Sequence, residues 1–499
     1  MHTIDQKKKK AAEAKKDAVE AAHTTADAAA NTAASQRARR QLQGKARRKT
    51  FPRSSHADVI LGQGERDALA LIEASDKDRM EQLLPVRFTR MAESPFAFFR
   101  GSAIVQAHDL KGTPSAGLQV QCCGDCHLMN FGGFATPERA LVFDINDFDE
   151  TLPGPFEWDV KRLATSCVLA ARWLGLDAND ARRSVATAVA AYRTTMARFA
   201  VMSVLEIWYA KVTMDEVFEE YADDPKVVKL LKRSVDKALH STTEHVFHSI
   251  ATVENGKTRI NDQPPLLFHP DSTELDMERE VRPFFENYRA SLPCDRRALF
   301  DRFEVIDVVH KVVGVGSVGT RCFIALFAGY QDDHLFLQVK EARPSVLEGL
   351  VGPSPYASNG ERVVEGQRLM QSASDIFLGW TRGVHGHEFY VRQLRDMKIA
   401  PNLTGYGPRA LAAYGHLCGR ALARAHAKSG DAASLCGYLG ANDVFDEAIG
   451  DYAVAYADQV ERDYEAFRAA TRSGRFPIET VPSEIEQAVR WAGEWRMVK

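Results

Sequence analysis

Between residues 156 and 174, apolar side chains recur every three or four positions: Phe156, Val160, Leu163, Ala164, Cys167, Ala171 and Leu174. That spacing predicts an amphipathic helix, which Gly175 ends. Residues 408–429 repeat the pattern with Leu411, Tyr414, Cys418, Ala421, Leu422 and Ala425, and Gly430 is the stop. Helix is also expected over much of 178–250 and 441–499, and as one or two helices over 57–93. SPFAFFRGSA (94–103) reads as an aromatic loop. Residues 118–123 and 140–145 alternate into two short strands around GDCHLMNFGGF, a stretch too polar and Gly-rich for regular structure. Together they predict a hairpin-like unit with polar residues at its ends. A polar, Pro-containing interval at 254–275 marks a boundary. Residues 303–342 are rich in Val, Ile and Phe and punctuated by turn residues, which predicts three antiparallel strands. A helix near 361–374 and a strand over 387–394 follow.

A chain of 499 residues exceeds one ordinary core, so two or three lobes are expected. The net charge of −3 hides an asymmetry. Residues 1–50 hold 13 Lys or Arg against 5 Asp or Glu, so the remainder is acidic. With almost no large apolar side chains, 1–50 is expected to be a disordered basic tail. It is either solvated without a partner or an arm for nucleic acid or another anionic surface, through Lys7 to Lys10 and the cluster from Arg37 to Lys49. No apolar run approaches eighteen residues, so no membrane span is expected. The N-terminus has charge but no apolar core, which argues against a secretory signal. The eight cysteines are sparse, as expected of reduced thiols in a cytoplasmic protein.

Five features could carry chemistry. Asp125 and Asn130 stand five apart on the irregular loop, where a carboxylate can orient an attacking hydroxyl and an amide oxygen can ligate Mg²⁺. Asp144 ends an apolar strand and could complete the metal shell; Asn146, Asp147 and Asp149 crowd behind it. Gly314, Gly316 and Gly319, with Ser317 between them, form a G-x-G-x-x-G between two predicted strands. A glycine flap of that kind lets backbone N–H groups approach phosphate oxygens. Lys340, on the third strand, could reach those phosphates, and Glu365, on the following helix, could hold the lysine. The plain alternatives are a surface lysine and a solvated helix face, with Glu348 and Glu361 competing for the partner role. Cys122, Cys123, Cys126 and His127 lack the second ligand pair of a structural zinc site. The stretch after Asp144 lacks the glycine of a calcium loop.

GDCHLMN resembles the H-G-D-x-H-x-x-N loop of aminoglycoside phosphotransferases and choline kinases, with Asp125, His127 and Asn130 matching and Cys123 standing where those enzymes usually carry His. FDINDFDE resembles their metal strand, which implies Asp144 as the second Mg²⁺ ligand. Glu157-Trp158-Asp159-Val160 resembles the later aspartate that supports the catalytic loop. In protein-kinase-like enzymes flap, lysine and helix precede the catalytic loop. Here the loop comes first and the flap about 190 residues later, so the parts keep their order only when read cyclically. The body, about 51–470, also resembles the uncharacterised bacterial family called domain of unknown function 2252. The stretches that match are PRSSHA, SPFAFFRGSA, GDCHLMNFG, FDINDFDETLPGPFEWDVKRLA, VGVGSVGTRC, YVRQLRDMK and ARAHAKSGD.

These resemblances imply an α+β, two-lobed, circularly permuted kinase-like fold. Residues 51–300 would hold the catalytic loop, metal strand and helical lobe, 301–400 the β lobe, and 401–499 the closing helices. They imply an ATP- and Mg²⁺-dependent phosphotransferase acting on a small-molecule hydroxyl. Asp125, Lys340 and Glu365 would be catalytic, Gly314, Gly316, Ser317, Gly319 and Lys340 would bind nucleotide, and Asn130 and Asp144 would hold metal. The adenine hinge would fall at Gln393 to Asp396. Nucleotidyl transfer on the same fold, or nucleotide binding without turnover, are the other readings. Arg100 and the aromatic run before it either line an acceptor pocket or only pack.

Overall fold

The computed structural model describes residues 35–61, 66–239, 243–254, 257–264, 266–270, 276–330, 333–394 and 397–478. It is a mixed α+β protein. The first elements are α1 (residues 35–47), α2 (Ala68–Asp76), α3 (Leu84–Met91), α4 (Pro95–Gly101) and α5 (Ala103–Leu110). Four short strands follow: β1 (Gln119–Cys122), β2 (Phe131–Ala135), β3 (Leu141–Ile145) and β4 (Leu152–Pro155). Helices α6 (Phe156–Trp173), α7 (Ala178–Phe199), α8 (Val204–Tyr209), α9 (Met214–Glu220), α10 (Pro225–Leu239) and α11 (Thr243–Ile250) come next. Then come β5 (Ala251–Glu254), β6 (Lys257–Ile260), β7 (Leu267–Phe268), α12 (Arg282–Ala290) and α13 (Cys294–Phe300). The long strands are β8 (Glu304–Lys311), β9 (Cys322–Ala328) and β10 (His334–Glu341), followed by α14 (Glu348–Val351), α15 (Asn359–Met370), β11 (Gly379–Arg382) and β12 (Glu388–Gln393). The last described helices are α16 (Pro408–Ser429), α17 (Ala432–Leu439) and α18 (Val444–Arg472), and the part of the expected 441–499 helical stretch after 478 lies outside the described residues.

Six antiparallel strands form the main sheet in the order β11-β12-β10-β9-β8-β7. Alternation divides its side chains between two cores. Ala325, Phe327, Leu335, Leu337 and Val339 pack with Phe285 and Tyr288 of α12 on one face. Ile324, Leu326 and Phe336 pack with Val246 and Ile250 of α11 on the other. Lys340 has the parity of Phe336 and Gln338, so the strand period puts it on the second face. The largest core joins α6, α7, α16 and α18 through residues such as Leu163, Cys167, Leu411, Cys418, Leu422 and Tyr456. Among the described residues, no helix is long and apolar enough to cross a membrane.

Four expectations change. Part of the basic tail is built into the fold: α1 lies so close to α17 that a Cβ on Gly44 would fall 1.9 Å from the Ser434 carbonyl oxygen. Arg47 and Arg48 donate to the carbonyls of Ala116 and Tyr438 instead of presenting a free basic patch. Residues 1–34, with the Lys7 to Lys10 run, lie outside the described residues. Second, SPFAFFRGSA is helical over α4, because the Ser94 hydroxyl caps the Ala97 N–H and Pro95 opens the first turn. Third, the expected hairpin is not one unit. β1 pairs with β4 and β2 pairs with β3, since Phe131–Ala135 is itself a strand. Fourth, α11 and the chain after it pack on the sheet, so chain from about 246 joins the strands expected from 301.

The start of α6 buries Glu157, His56 and Lys161 together. Burial drives the Glu157 carboxyl up to about 7, although its Oε1 accepts the Ala116 N–H at 2.6 Å. A raised carboxyl pKa adds stability below the unfolded value near 4.5 and loses it as pH rises through about 7. Glu157→Gln keeps the acceptor and removes the titration. The variant should match the wild type at pH 5 and exceed it by about 2 kcal/mol at pH 8. Urea unfolding at the two pH values checks this.

Candidate functional site

The loop between β1 and β2 is held from below. Asp159, in the first turn of α6, accepts the backbone N–H of Cys123 at 2.6 Å on Oδ2 and that of Gly124 at 2.9 Å on Oδ1. Oδ2 also meets His426 Nε2 of α16 at 3.1 Å. Asp159 is buried, so these three contacts replace its hydration and fix the loop. Above it, Arg162 donates from Nε to Asp125 Oδ1 at 2.6 Å and from its other nitrogens to Gln106 Oε1 and the Phe99 carbonyl. The Asp125 carboxylate is thereby oriented. Its Oδ2 lies 3.6 Å from His127 Nε2. Burial drives the His127 pKa down to about 4, so that ring is neutral near pH 7.

Asn130 donates from Nδ2 to the Asp125 carbonyl at 2.6 Å, which turns its Oδ1 away from that bond. Asp144, by contrast, is 0% exposed. Its oxygens accept Arg424 Nη2 at 2.8 and 3.1 Å and the N–H groups of Ser372 and Ile145. The oxygens of the expected metal ligand are thus engaged by protein donors. A carboxylate enclosed by a guanidinium and two amides is a structural ion-pair partner. Asp147, three residues later, stands beside the cleft instead, with 30% of its side chain exposed.

Lys340 reaches across from the sheet to this segment. Its side chain is 3% exposed, and Nζ lies 2.7 Å from Asp149 Oδ2 and 3.4 Å from Asp147 Oδ2. Burial alone would neutralise the ammonium, but Asp147 and Asp149 outweigh it and hold the pKa well above the ordinary lysine value. Burial likewise opposes ionisation of Asp147, yet Lys340 and Arg392 bring it down to about 2. Asp149 is the junction. It also accepts the Tyr390 hydroxyl at 2.6 Å and the Ser317 hydroxyl at 3.3 Å.

Glu365 does not hold the lysine. It accepts Arg368 Nη1 at 2.7 Å and is partly exposed. The helix instead presents Arg362, which donates to the carbonyls of Thr151, Asp149 and Arg343. The charge pattern is therefore inverted, with the cation on α15 and the acids on the loop.

The glycine segment is the turn from β8 to β9, and Gly314 and Gly319 take φ of +67° and +87°, where side chains are strained. Five of its carbonyls are pulled aside. Arg90 takes Gly314, Arg87 takes Val315 and Gly316, Arg79 takes Val318, and the Met80 N–H takes Gly319. Carbonyl oxygens repel phosphate, so turning them into arginines suits the segment to an anion. No sequence pattern marked these arginines, nor Tyr390, which faces Lys340 only through strand register.

A cavity of about 1310 Å³ opens between the sheet and the acidic segment. Gly314, Ser317, Lys340 and Asp147 line it, with Ile324 and Ile399 as apolar wall. Asp125, Asn130, Asp144, Gly316, Gly319 and Glu365 are not among its lining residues. Of the expected hinge, Gln393 and Leu394 line the cavity, but their N–H groups bond Asp375 and the Phe336 carbonyl. Residues 395–396 lie outside the described residues. Among the described residues, no three His, Cys, Asp or Glu side chains form a metal cage. Asn130 and Asp147 are hard oxygen donors that suit Mg²⁺, which takes much of its shell from water and substrate phosphates.

The family described as "Uncharacterized protein conserved in bacteria (DUF2252)" matches residues 79–470, and the chain belongs to it. No curated protein and no solved structure matches the chain.

The Asp144 assignment has a direct consequence. Asp144→Ala leaves the buried Arg424 guanidinium uncompensated and should cost about 3–5 kcal/mol in metal-free buffer. A residue serving only as a metal ligand would leave that stability unchanged. Denaturant unfolding with chelator present checks this.

Proposed function

We propose that this member of the family is an ATP- and Mg²⁺-dependent phosphotransferase, built on a circularly permuted kinase-like arrangement and acting on a small-molecule hydroxyl. The observation that carries the reading is the meeting of Lys340 with Asp147 and Asp149 beside a glycine turn, across 191 residues of chain. Asp159 beneath the catalytic loop supports it further, because a buried acid on two loop amides keeps Asp125 and Asn130 in fixed register.

On this reading Lys340 and the N–H groups of the 314–319 turn receive the triphosphate, and the apolar wall near Ile324 receives the base. Asn130 and Asp147 would hold Mg²⁺, whose chemistry is to neutralise charge on the phosphates. Asp125 positions the acceptor hydroxyl and accepts its proton as the oxygen attacks the terminal phosphorus and ADP departs. Arg162 fixes the direction of that carboxylate. Neutral His127 adds no competing charge. Glu365 has no part, and Lys340 draws its support from the acidic segment itself.

Incubation with ATP labelled at the α or the γ position tests the reaction. Label should leave from the γ position, and Asp125→Asn should lower turnover at least 100-fold while nucleotide affinity stays within a few-fold. Transfer of the α label would mean nucleotidylation. Turnover unaffected by Asp125→Asn would remove the proposed role.

A further inference from the structure

Arg90 and Arg100 stand on α3 and α4 beside the glycine turn, and beyond the Gly314 carbonyl that Arg90 holds, nothing described so far accounts for their guanidiniums. Arg90, in α3, is 3% exposed. It spends Nη1 on the Gly314 carbonyl, while its Nε and Nη2 are buried with no hydrogen-bond partner among the described residues. Arg100, in the last turn of α4, lies over the Phe96 ring and likewise has a buried Nε with no hydrogen-bond partner among the described residues. The turn rests on this helix: a Cβ on Gly316 would come within 3.2 Å of the Arg100 carbonyl oxygen.

The electrostatics tie the two to one another and to the catalytic loop. Burial lowers the pKa of both, Arg100 lowers that of Arg90 further, and Asp125 and Glu93 are the acids that raise that of Arg100. Neither acid satisfies them. Asp125 is engaged by Arg162, and neither Asp125 nor Glu93 forms an ion pair with Arg90 or Arg100. Two guanidiniums on the packed helices α3 and α4, with three buried donors unpartnered among the described residues, carry a desolvation cost that an anion would offset. Their planar forks match the oxygens of a phosphoryl group.

We propose that Arg90 and Arg100 form an anion site beneath the glycine turn, beside Asp125, that takes a phosphate group. The phosphate is either the terminal one of the nucleotide or one carried by the acceptor. This deepens the proposed function and rests on that reading only for the choice between those two sources. The anion site itself stands without it.

The test uses the full chain and inorganic phosphate, followed by calorimetry and thermal shift. Phosphate should raise the melting temperature of the wild type. Arg100→Gln should weaken phosphate binding about 10- to 100-fold, and Arg100→Lys should lose less. Arg90 is left intact because it also holds Gly314. If Arg100→Gln weakens ATP but not ADP by the same factor, the site takes the nucleotide's terminal phosphate. If it leaves ATP and ADP unchanged while phosphate binding is lost, the site takes a phosphate on the acceptor. Phosphate bound by the wild type without any ATP binding would keep the anion site and remove the nucleotide reading. A wild type that ignores phosphate overturns the proposal, whatever the variants do. So does a folded Arg100→Gln protein that binds phosphate as tightly as the wild type.

Discussion

A lysine ammonium cannot be taken out of water alone. At 3% exposure, Lys340 needs carboxylates within a few ångströms, and Asp149 and Asp147 supply them. That requirement brings together a strand of the sheet and a segment almost two hundred residues earlier. Asp149 then gathers the Tyr390 hydroxyl from β12 and the Ser317 hydroxyl from the glycine turn. One carboxylate thus connects the acidic segment, the sheet and the turn. Removing the two carboxylates would leave the ammonium buried without compensation.

Arginines bonded to backbone carbonyls make the surroundings rigid. Arg362 ties α15 to the acidic segment, Arg87 ties α3 to the glycine turn, and Arg162 ties α6 to α4 through the Phe99 carbonyl. A guanidinium has five donors in a fixed plane, so one residue can hold two or three chain segments in a defined geometry. Asp159 does the complementary work for the loop amides. Helices α3 and α4 thereby brace the glycine turn.

The long helices and strands were legible because burial imposes a strict period. The 408–429 helix matches its observed bounds, and the three strands over 303–342 lie side by side as their β-branched and aromatic content and turn residues imply. Lys340 could be singled out because a lysine in an apolar strand is conspicuous. Its partners could not. Glu365 and Asp149 are both acids at plausible places, and only the packing of α15, which turns Arg362 inward and leaves Glu365 with Arg368, decides between them. The Arg424 partner of Asp144 is hidden for a similar reason: it lies 280 residues away, and no local pattern announces it. SPFAFFRGSA was misread because aromatic content outweighed the Ser-Pro cap that starts its helix.

The account is decided most directly by nucleotide binding. The melting temperature of the full chain should be followed with millimolar ATP, with and without Mg²⁺. Ligand at 100 times its Kd stabilises the native state by about 2.7 kcal/mol, so a rise of several degrees that is larger with the metal is the expected result. An unchanged melting temperature under both conditions would contradict a phosphate-binding cleft at Lys340.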